Sequence, residues 1–180
     1  MKFERSASEA ERRWLVRELR SNHAGELGAI AIYRGVLAVS RGTQLREFAN
    51  RHLATEQQHL NRMLELLPRS RRSKLLPLWR AAGFLTGALP AACGEDAVYA
   101  TIDAVETFVE RHYRAQIERL AGDSDRAALC DTLRACMDDE LAHRDEARAR
   151  LAGRSGPILR LWLLAVTGGS ALGVIIARRI

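Results

Sequence analysis

The chain has 180 residues, of which 47% are hydrophobic and 28% are charged, with four prolines in all. This composition suits one folded domain spanning residues 1–180 and argues against a linker between two domains. The formal net charge of +6 fits an acidic substrate or an anionic membrane surface. Nucleic acid is the weaker interpretation, because no zinc-finger, RNP or recognition-helix motif is present.

The cysteines and the N-terminal segment carry information about the compartment. The three cysteines are odd in number and show no CxxC spacing, which predicts buried thiols in a reducing compartment. They are Cys93, Cys130 and Cys136. The first fourteen residues are charged and contain no apolar run, so we expect no secretory signal.

Local helix signals divide the chain into predicted elements. Ser8 followed by Glu11 is a capping-box pattern, which predicts a short charged helix over residues 8–20. Asn22 can cap the next helix, and a Gly or Pro residue ends each of the long helices. The four long helices are predicted at residues 23–41, 43–67, 95–121 and 125–151.

Each long predicted helix places one glutamate inside its apolar stripe. An unpaired carboxylate is costly to desolvate, so in such a place it must be paired, protonated or bound to a metal. The stripes offer no Lys or Arg as partners, whereas two divalent cations would balance four carboxylates. The alternative is that these glutamates lie on solvated helix faces. The apolar residues one turn away from each glutamate argue against this alternative. The four residues are Glu26, Glu56, Glu106 and Glu140.

Two Glu-x-x-His pairs supply further ligands, Glu56 with His59 and Glu140 with His143. Residues three apart lie on one helix face, so both side chains of a pair can reach one ion. Each half of the chain therefore offers a single glutamate and then such a pair, which is the ligand pattern of ferritin-like di-iron and di-manganese bundles. The sequence predicts an all-α, ferritin-like four-helix bundle with additional short apolar helices. Its ligands suit iron or manganese better than zinc.

Motifs around these glutamates extend over residues 20–180. They are His23-Ala-Gly-Glu26, Glu56-Gln-Gln-His59, Pro77-Leu-Trp79, Val105-Glu106 with His112-Tyr113 beyond, and Asp139-Glu140-Leu-Ala-His143. In this order they resemble the demethoxyubiquinone hydroxylase family. The resemblance implies a carboxylate-bridged centre of two iron ions, with Glu56 and Glu140 as the bridging residues. The ligands that it implies are Glu26, Glu56, His59, Glu106, Glu140 and His143.

The resemblance also implies an activity, that of an O2-dependent monooxygenase of ubiquinone biosynthesis. Such an enzyme hydroxylates the benzoquinone ring of a polyprenylated demethoxyubiquinone, with NADH as the electron source. Protein partners from the same pathway and a homo-oligomer remain open. The chain departs from the family's pattern at residues 19–22, at Arg144 and at residues 176–180. None of these positions is a predicted ligand, so the departures leave only details of the substrate open. The alternatives are a ferritin-like iron oxidase or storage protein and a non-enzymatic, membrane-associated helical protein.

Five further residues near the predicted ligands have more than one interpretation. Tyr113 lies two turns after the third-helix glutamate, where a supporting or redox role and plain core packing are equally good interpretations. His112 could relay protons or electrons, although a surface histidine is the simpler interpretation. Glu110, one turn further along the third helix, is the rival ligand there. We expect His23 at a helix N-terminus and His52 as a hydrogen-bonded core histidine.

Two apolar segments, residues 75–93 and 156–180, are predicted to face a membrane. Residues 158–177 could span a bilayer by length, but their glycines and one arginine favour a helix lying in the interface. The basic residues 69–74 and Arg178-Arg179 would then meet anionic headgroups. We expect a peripheral protein on the cytoplasmic face of a bacterial membrane, or on the inner mitochondrial membrane after processing. Our hypothesis is that both segments line an apolar channel to the irons.

Overall fold

The computed structural model describes residues 8–153 and 156–180. In these ranges the chain forms six α-helices and two short 3₁₀ turns, and no strand. The helices are α1 (Glu9–Val39), α2 (Thr43–Leu66), α3 (Leu76–Cys93), α4 (Glu95–Leu120), α5 (Ala127–Ala149) and α6 (Pro157–Ala177). The 3₁₀ turns are Arg69–Arg71 and Ser124–Arg126. The all-α prediction is confirmed.

Helix α1 is longer than the sequence predicts. It begins with the expected capping box, in which Ser8 Oγ accepts from the Glu11 N–H at 3.3 Å and the Ser8 N–H donates to Glu11 Oε2 at 2.8 Å. The helix then continues through Asn22, so the separate helix predicted over residues 8–20 is wrong. The reason is that the Asn22 side chain does not cap a helix but donates to Gln116 Oε1 across the bundle at 2.9 Å.

The other boundaries agree more closely, and helices α2, α4 and α5 begin and end within two residues of the predicted positions. Helices α3 and α6 have 18 and 21 residues, so they are full helices rather than short ones. Cys130 and Cys136 are buried, as predicted, but Cys93 is exposed. Cys93 is the last residue of α3, next to Gly94, whose φ is 121° and which connects α3 to α4.

The four helices α1, α2, α4 and α5 surround one interior as two packed pairs, α1 with α2 and α4 with α5. Apolar side chains fill both ends of this interior. One cluster includes Tyr33 and Phe48, and the other includes Met63 and Leu133. In each of these four helices, the predicted ligand glutamate lies in sequence between the residues of one cluster and those of the other. A band of carboxylates therefore crosses the middle of the core.

Helix α3 packs against α1 at very short range, because glycines lie where the two helices meet. A Cβ atom on Gly83 would stand 2.3 Å from the carbonyl oxygen of Gly28, and one on Gly87 would stand 1.9 Å from that of Ile32. No side chain fits in these gaps. Helix α6 packs on α4 and α1, so α3 and α6 flank α1 and enclose a space beside the carboxylate band.

Candidate metal centre

The six predicted ligands meet at one place in the bundle. All are buried, with at most 4% of each residue exposed. Their ligand atoms form two overlapping groups, and within each group the atoms all lie within 4.8 Å of one another. The first group is Glu26, Glu56, His59 and Glu140, and the second is Glu56, Glu106, Glu140 and His143. Glu56 and Glu140 belong to both groups, which is the position that bridging carboxylates require.

Several polar atoms of this cluster are buried without a hydrogen-bond partner. They are both carboxylate oxygens of Glu56, Oε2 of Glu140, and Nδ1 of His59 and of His143. Buried groups are normally satisfied, and each one left unpaired costs about 1–3 kcal/mol. The two Nδ1 atoms each lie 3.2 Å from a carboxylate oxygen, so lone pairs converge on a shared space. This donor set fits two divalent cations.

The charges of the cluster shift the pKa values of its members in opposite directions. Burial and the neighbouring carboxylates raise the pKa values of Glu26 and Glu106 well above the usual range. Burial also raises the pKa of Glu56, but the imidazoles of His143 and His59 outweigh it and lower that pKa to about 2. Burial lowers the pKa of His143, but the nearby carboxylates outweigh it and raise that pKa to about 9. Metal binding to such a set releases protons.

Two tyrosines bind the two single glutamates in a crossed arrangement. Tyr113 on α4 donates its hydroxyl to Glu26 on α1, while Tyr33 on α1 donates to Glu106 on α4 at 3.3 Å. Tyr113 therefore contacts a predicted ligand, which its supporting role requires. Tyr33 was not predicted, although each tyrosine follows the glutamate of its own helix by the same two turns. That shared spacing is the signal that would have found it.

Asp139 holds one of the cluster histidines. Its Oδ2 atom lies 2.9 Å from Nε2 of His59, so Nδ1 of that ring is left to face the glutamates. Contacts of this kind between a carboxylate and an imidazole fix the ring and its tautomer at metal sites. This role was not predicted either, because it depends on the distance between α2 and α5.

His112 is not the surface histidine that the sequence favoured. Its side chain is only 12% exposed, and Nε2 lies 3.1 Å from Ser21 Oγ and 3.0 Å from Asn22 Oδ1. Asn22 and Gln116 also exchange two amide hydrogen bonds. Burial and the charge of Arg178 lower the pKa of His112 to about 4. The expectation fails because the unbroken helix α1 covers this part of α4.

The structure also decides the remaining alternatives. Glu110 forms ion pairs with two arginines and does not join the cluster, so Glu106 is the α4 residue that does. His23 lies inside α1 rather than at a helix N-terminus, because α1 is continuous. His52 is buried and lies within hydrogen-bonding distance of a glutamate, as expected of a core histidine.

A chamber of about 370 Å³ adjoins the cluster. Helices α1, α3, α4 and α6 form most of its walls, and the carboxylate residues that line it are Glu26, Glu106 and, from α5, Glu140. Apolar and small residues make up most of the remaining surface, including Trp79 from α3 and Trp162 from α6. Both apolar segments therefore line a space that reaches the cluster, which is the arrangement that the channel hypothesis requires.

The outer faces of α3 and α6 are apolar and exposed. Leu85 and Leu89 on α3 are about half exposed, and Ile158 and Leu164 on α6 are 85% and 71% exposed. Within residues 8–153 and 156–180, α6 is the one helix that is long and apolar enough to cross a membrane by length and composition. Only 6% of that stretch is buried inside the protein. An exposed apolar surface of this kind is typical of contact with lipid or with another protein.

Comparison with known protein families gives a match over nearly the whole chain. The family described as "Ubiquinone biosynthesis protein COQ7" matches residues 13–177. This range includes all six residues of the cluster and every residue that lines the chamber.

Individual relatives are similar over most of the chain. A Rhodospirillum rubrum protein named 3-demethoxyubiquinol 3-hydroxylase is 38% identical over 168 residues, which are 91% of this chain and 77% of that protein. Dictyostelium discoideum and Homo sapiens have mitochondrial proteins named NADPH-dependent 3-demethoxyubiquinone 3-hydroxylase. They are 38% identical over 140 residues and 35% identical over 133 residues. These matches cover 73% and 72% of this chain but only 62% and 61% of the two mitochondrial proteins.

Proposed function

Because the chain belongs to the family of the ubiquinone biosynthesis protein COQ7, we propose that it is an O2-dependent demethoxyubiquinone hydroxylase. The substrate is a polyprenylated benzoquinone, taken as the quinone or as the quinol, since relatives are named for both forms. The observation that carries the proposal is the buried cluster of four glutamates and two histidines in contact with an apolar chamber. Chambers of a few hundred Å³ with apolar walls and a few polar groups are typical of small-molecule sites.

The proposed reaction replaces one ring C–H bond by C–OH. One atom of O2 enters that bond, and the other leaves as water after taking up two electrons and two protons. NADH is the proposed electron source, as expected from the sequence. The mitochondrial relatives are named for NADPH, so the two nucleotides are to be compared in the same assay.

The proposed cofactor is a pair of iron ions held by the six cluster residues. Glu26 and His59 belong to one position, Glu106 and His143 to the other, and Glu56 and Glu140 are shared. The unpartnered buried atoms of these residues support this assignment. When bound, the iron supplies the redox chemistry for O2 that no side chain in the cluster can supply.

The residues of the chain position the substrate and hold protons. The apolar walls of the chamber keep water from the ring and leave room for it beside Glu106. Tyr33 and Tyr113 hold the two single glutamates through their hydroxyls. His112 lies in the chamber wall, bonded to residues of α1, and is proposed with Tyr113 as a group that moves protons or electrons.

We place the protein on a membrane surface, because its substrate carries an isoprenoid tail. The exposed apolar faces of α3 and α6 support this location, and the basic residues in 69–74 and Arg179 are proposed to meet anionic headgroups. Arg178, which the sequence also suggested for this role, instead pairs with the buried Glu18 at 2.7 Å. The proposed site is the cytoplasmic face of a bacterial membrane, or the inner mitochondrial membrane; several relatives are named as mitochondrial. Self-association and binding to other proteins of the pathway stay predictions.

The test loads the purified protein with Fe(II) under anaerobic conditions and then adds ¹⁸O2, a short-chain demethoxyubiquinone in mild detergent, and either NADH or, in a parallel sample, NADPH. We expect a ring-hydroxylated product that carries one ¹⁸O atom, and none from Glu140→Ala of confirmed helicity. A wild-type protein that binds two irons and forms no labelled product would contradict the substrate. Oxidation of a large excess of iron within a soluble cage would instead favour the iron-storage alternative.

A further inference from the structure

The two histidines of the cluster are supported in different ways. His59 receives direct support, since Asp139 Oδ2 lies 2.9 Å from its Nε2 atom. The neighbour of His143 is instead another imidazole, that of His52. The two rings meet edge to face, with centroids 4.0 Å apart and an interplanar angle of 80°. The two halves of the cluster repeat each other in sequence but not in their surroundings.

His52 is itself held firmly. The residue is 5% exposed, and its ring packs on Phe48 with centroids 4.2 Å apart and stacks on Tyr33 with centroids 5.8 Å apart. Its Nε2 atom lies 3.0 Å from Glu146 Oε2. The ring therefore has packing on two sides, and a hydrogen bond fixes its rotation about the side-chain bonds.

Glu146 is the anchor of this arrangement. Its second oxygen, Oε1, accepts from Arg51 at 2.5 Å and from Arg150 at 2.8 Å. Arg150 lies in turn over the ring of Phe48, 5.7 Å from its centroid. Charge-assisted bonds of this kind are stronger than neutral ones, so the carboxylate keeps one orientation toward His52.

We propose that His52, anchored by Glu146, is a positioning residue that fixes the ring of His143 and thereby sets the affinity of the metal position formed with Glu106. The inference rests on the proposed metal centre. His52 is not among the residues whose ligand atoms converge, so it acts through His143 rather than as a ligand.

A purely structural role does not account for these contacts. An apolar side chain of similar size would fill the space beside Phe48 without a buried polar atom that needs a partner. The imidazole brings a hydrogen bond to an ionised group and passes its orientation to a ligand ring, which is how outer residues tune metal sites. Because only one of the two histidines depends on it, the two metal positions should differ in affinity.

The experiment titrates the metal-free protein with Co(II) under anaerobic conditions and follows the visible absorption of the bound ion. Wild type should bind two ions per chain. In His52→Ala and Glu146→Ala, one of the two ions should bind about 10-fold more weakly, which is the lower end of the effect of outer residues on metal affinity. His52→Phe keeps a ring against His143 without the bond to Glu146 and should show a smaller loss.

Asp131→Asn serves as the matched control, because Asp131 is an exposed acid on the same helix as Glu146 and pairs with a surface arginine, Arg134. It should bind both ions as wild type does. Circular dichroism of each metal-free variant establishes that it is folded, and Glu146→Ala, at a partly exposed position, tests the inference if His52→Ala does not fold. Unchanged binding of both ions by folded Glu146→Ala would overturn the inference, even with a lower Tm. A wild type that binds no Co(II) would instead refute the metal centre itself.

Discussion

Replacing Glu106 by glutamine separates the stability of the fold from its capacity for metal. Glu106 is 2% exposed, and burial together with Glu140 and Glu56 raises its pKa. Glutamine has nearly the same shape and still accepts the hydroxyl of Tyr33, but it carries no charge. We expect metal-free Glu106→Gln to be more stable than metal-free wild type, and bound metal to stabilise it less.

The magnitude follows from the contacts of the cluster. A buried polar group without its full set of partners costs the fold about 1–3 kcal/mol, and a carboxyl group must in addition be protonated or buried as a charge. The lower part of that range, about 1–2 kcal/mol, applies because only one of four carboxylates is changed and the contact with Tyr33 is kept. In a chain of this length, 1 kcal/mol shifts Tm by about 2–4 °C, so the metal-free variant should melt about 2–8 °C higher. Bound metal should raise the free energy of unfolding of wild type more than that of the variant. The reason is that metal satisfies buried ligand atoms that each cost about 1–3 kcal/mol when unpaired.

The assay is thermal unfolding followed by far-UV circular dichroism, with and without anaerobic loading with Fe(II). Glu110→Gln is the matched control, because Glu110 lies one turn further along α4 and pairs with arginines outside the cluster. It should not raise the Tm of the metal-free protein. A metal-free Glu106→Gln that melts below wild type, or an equal rise in Tm with iron in both proteins, would refute the reasoning.

Three further predictions concern the walls of the chamber and its outer face. Gly87→Ala should lower the free energy of unfolding in urea by about 1–3 kcal/mol, because its Cβ would stand 1.9 Å from the Ile32 carbonyl oxygen. The control is Gly168→Ala, which should cause no loss of stability because nothing lies within 4 Å of a Cβ there. Gly169→Leu should leave Tm unchanged, since a Cβ there meets no atom within 4 Å, but should weaken quinone binding measured by fluorescence quenching, because Gly169 lines the chamber. Leu164→Glu should reduce co-sedimentation with anionic liposomes, because residue 164 is 71% exposed and glutamate there would place a charge in the lipid. Undiminished co-sedimentation would exclude α6 from the contact with the membrane.

Helices and candidate ligands could be predicted because each helix carries its own local signals. Glu56 with His59 shows the reason: both residues lie on one face of one helix, and their apolar neighbours show that this face points inward. The structure brings all six candidates together, while their binding of iron stays a prediction, as does the assignment of residues 1–180 to one domain.

Predictions that depended on a neighbouring helix were less successful. Asn22 has the residue type of a helix cap, yet it bonds Gln116 on α4, and this contact has no counterpart in local sequence. His112 seemed a surface residue for the same reason, because its cover comes from α1. Cys93 has apolar neighbours in sequence but is the last residue of α3, where its side chain is exposed.

By itself the sequence determined that this chain is helical, that carboxylates enter its core, and which family's motifs it carries. It could do so because helical periodicity and residue spacing are properties of a single segment. Only the tertiary structure decided that α1 is unbroken, that Tyr33 and Tyr113 bind each other's glutamates, and that the ring of His52 packs edge to face on His143. Those features arise from distances between helices, which depend on how side chains from all of them fill one shared interior.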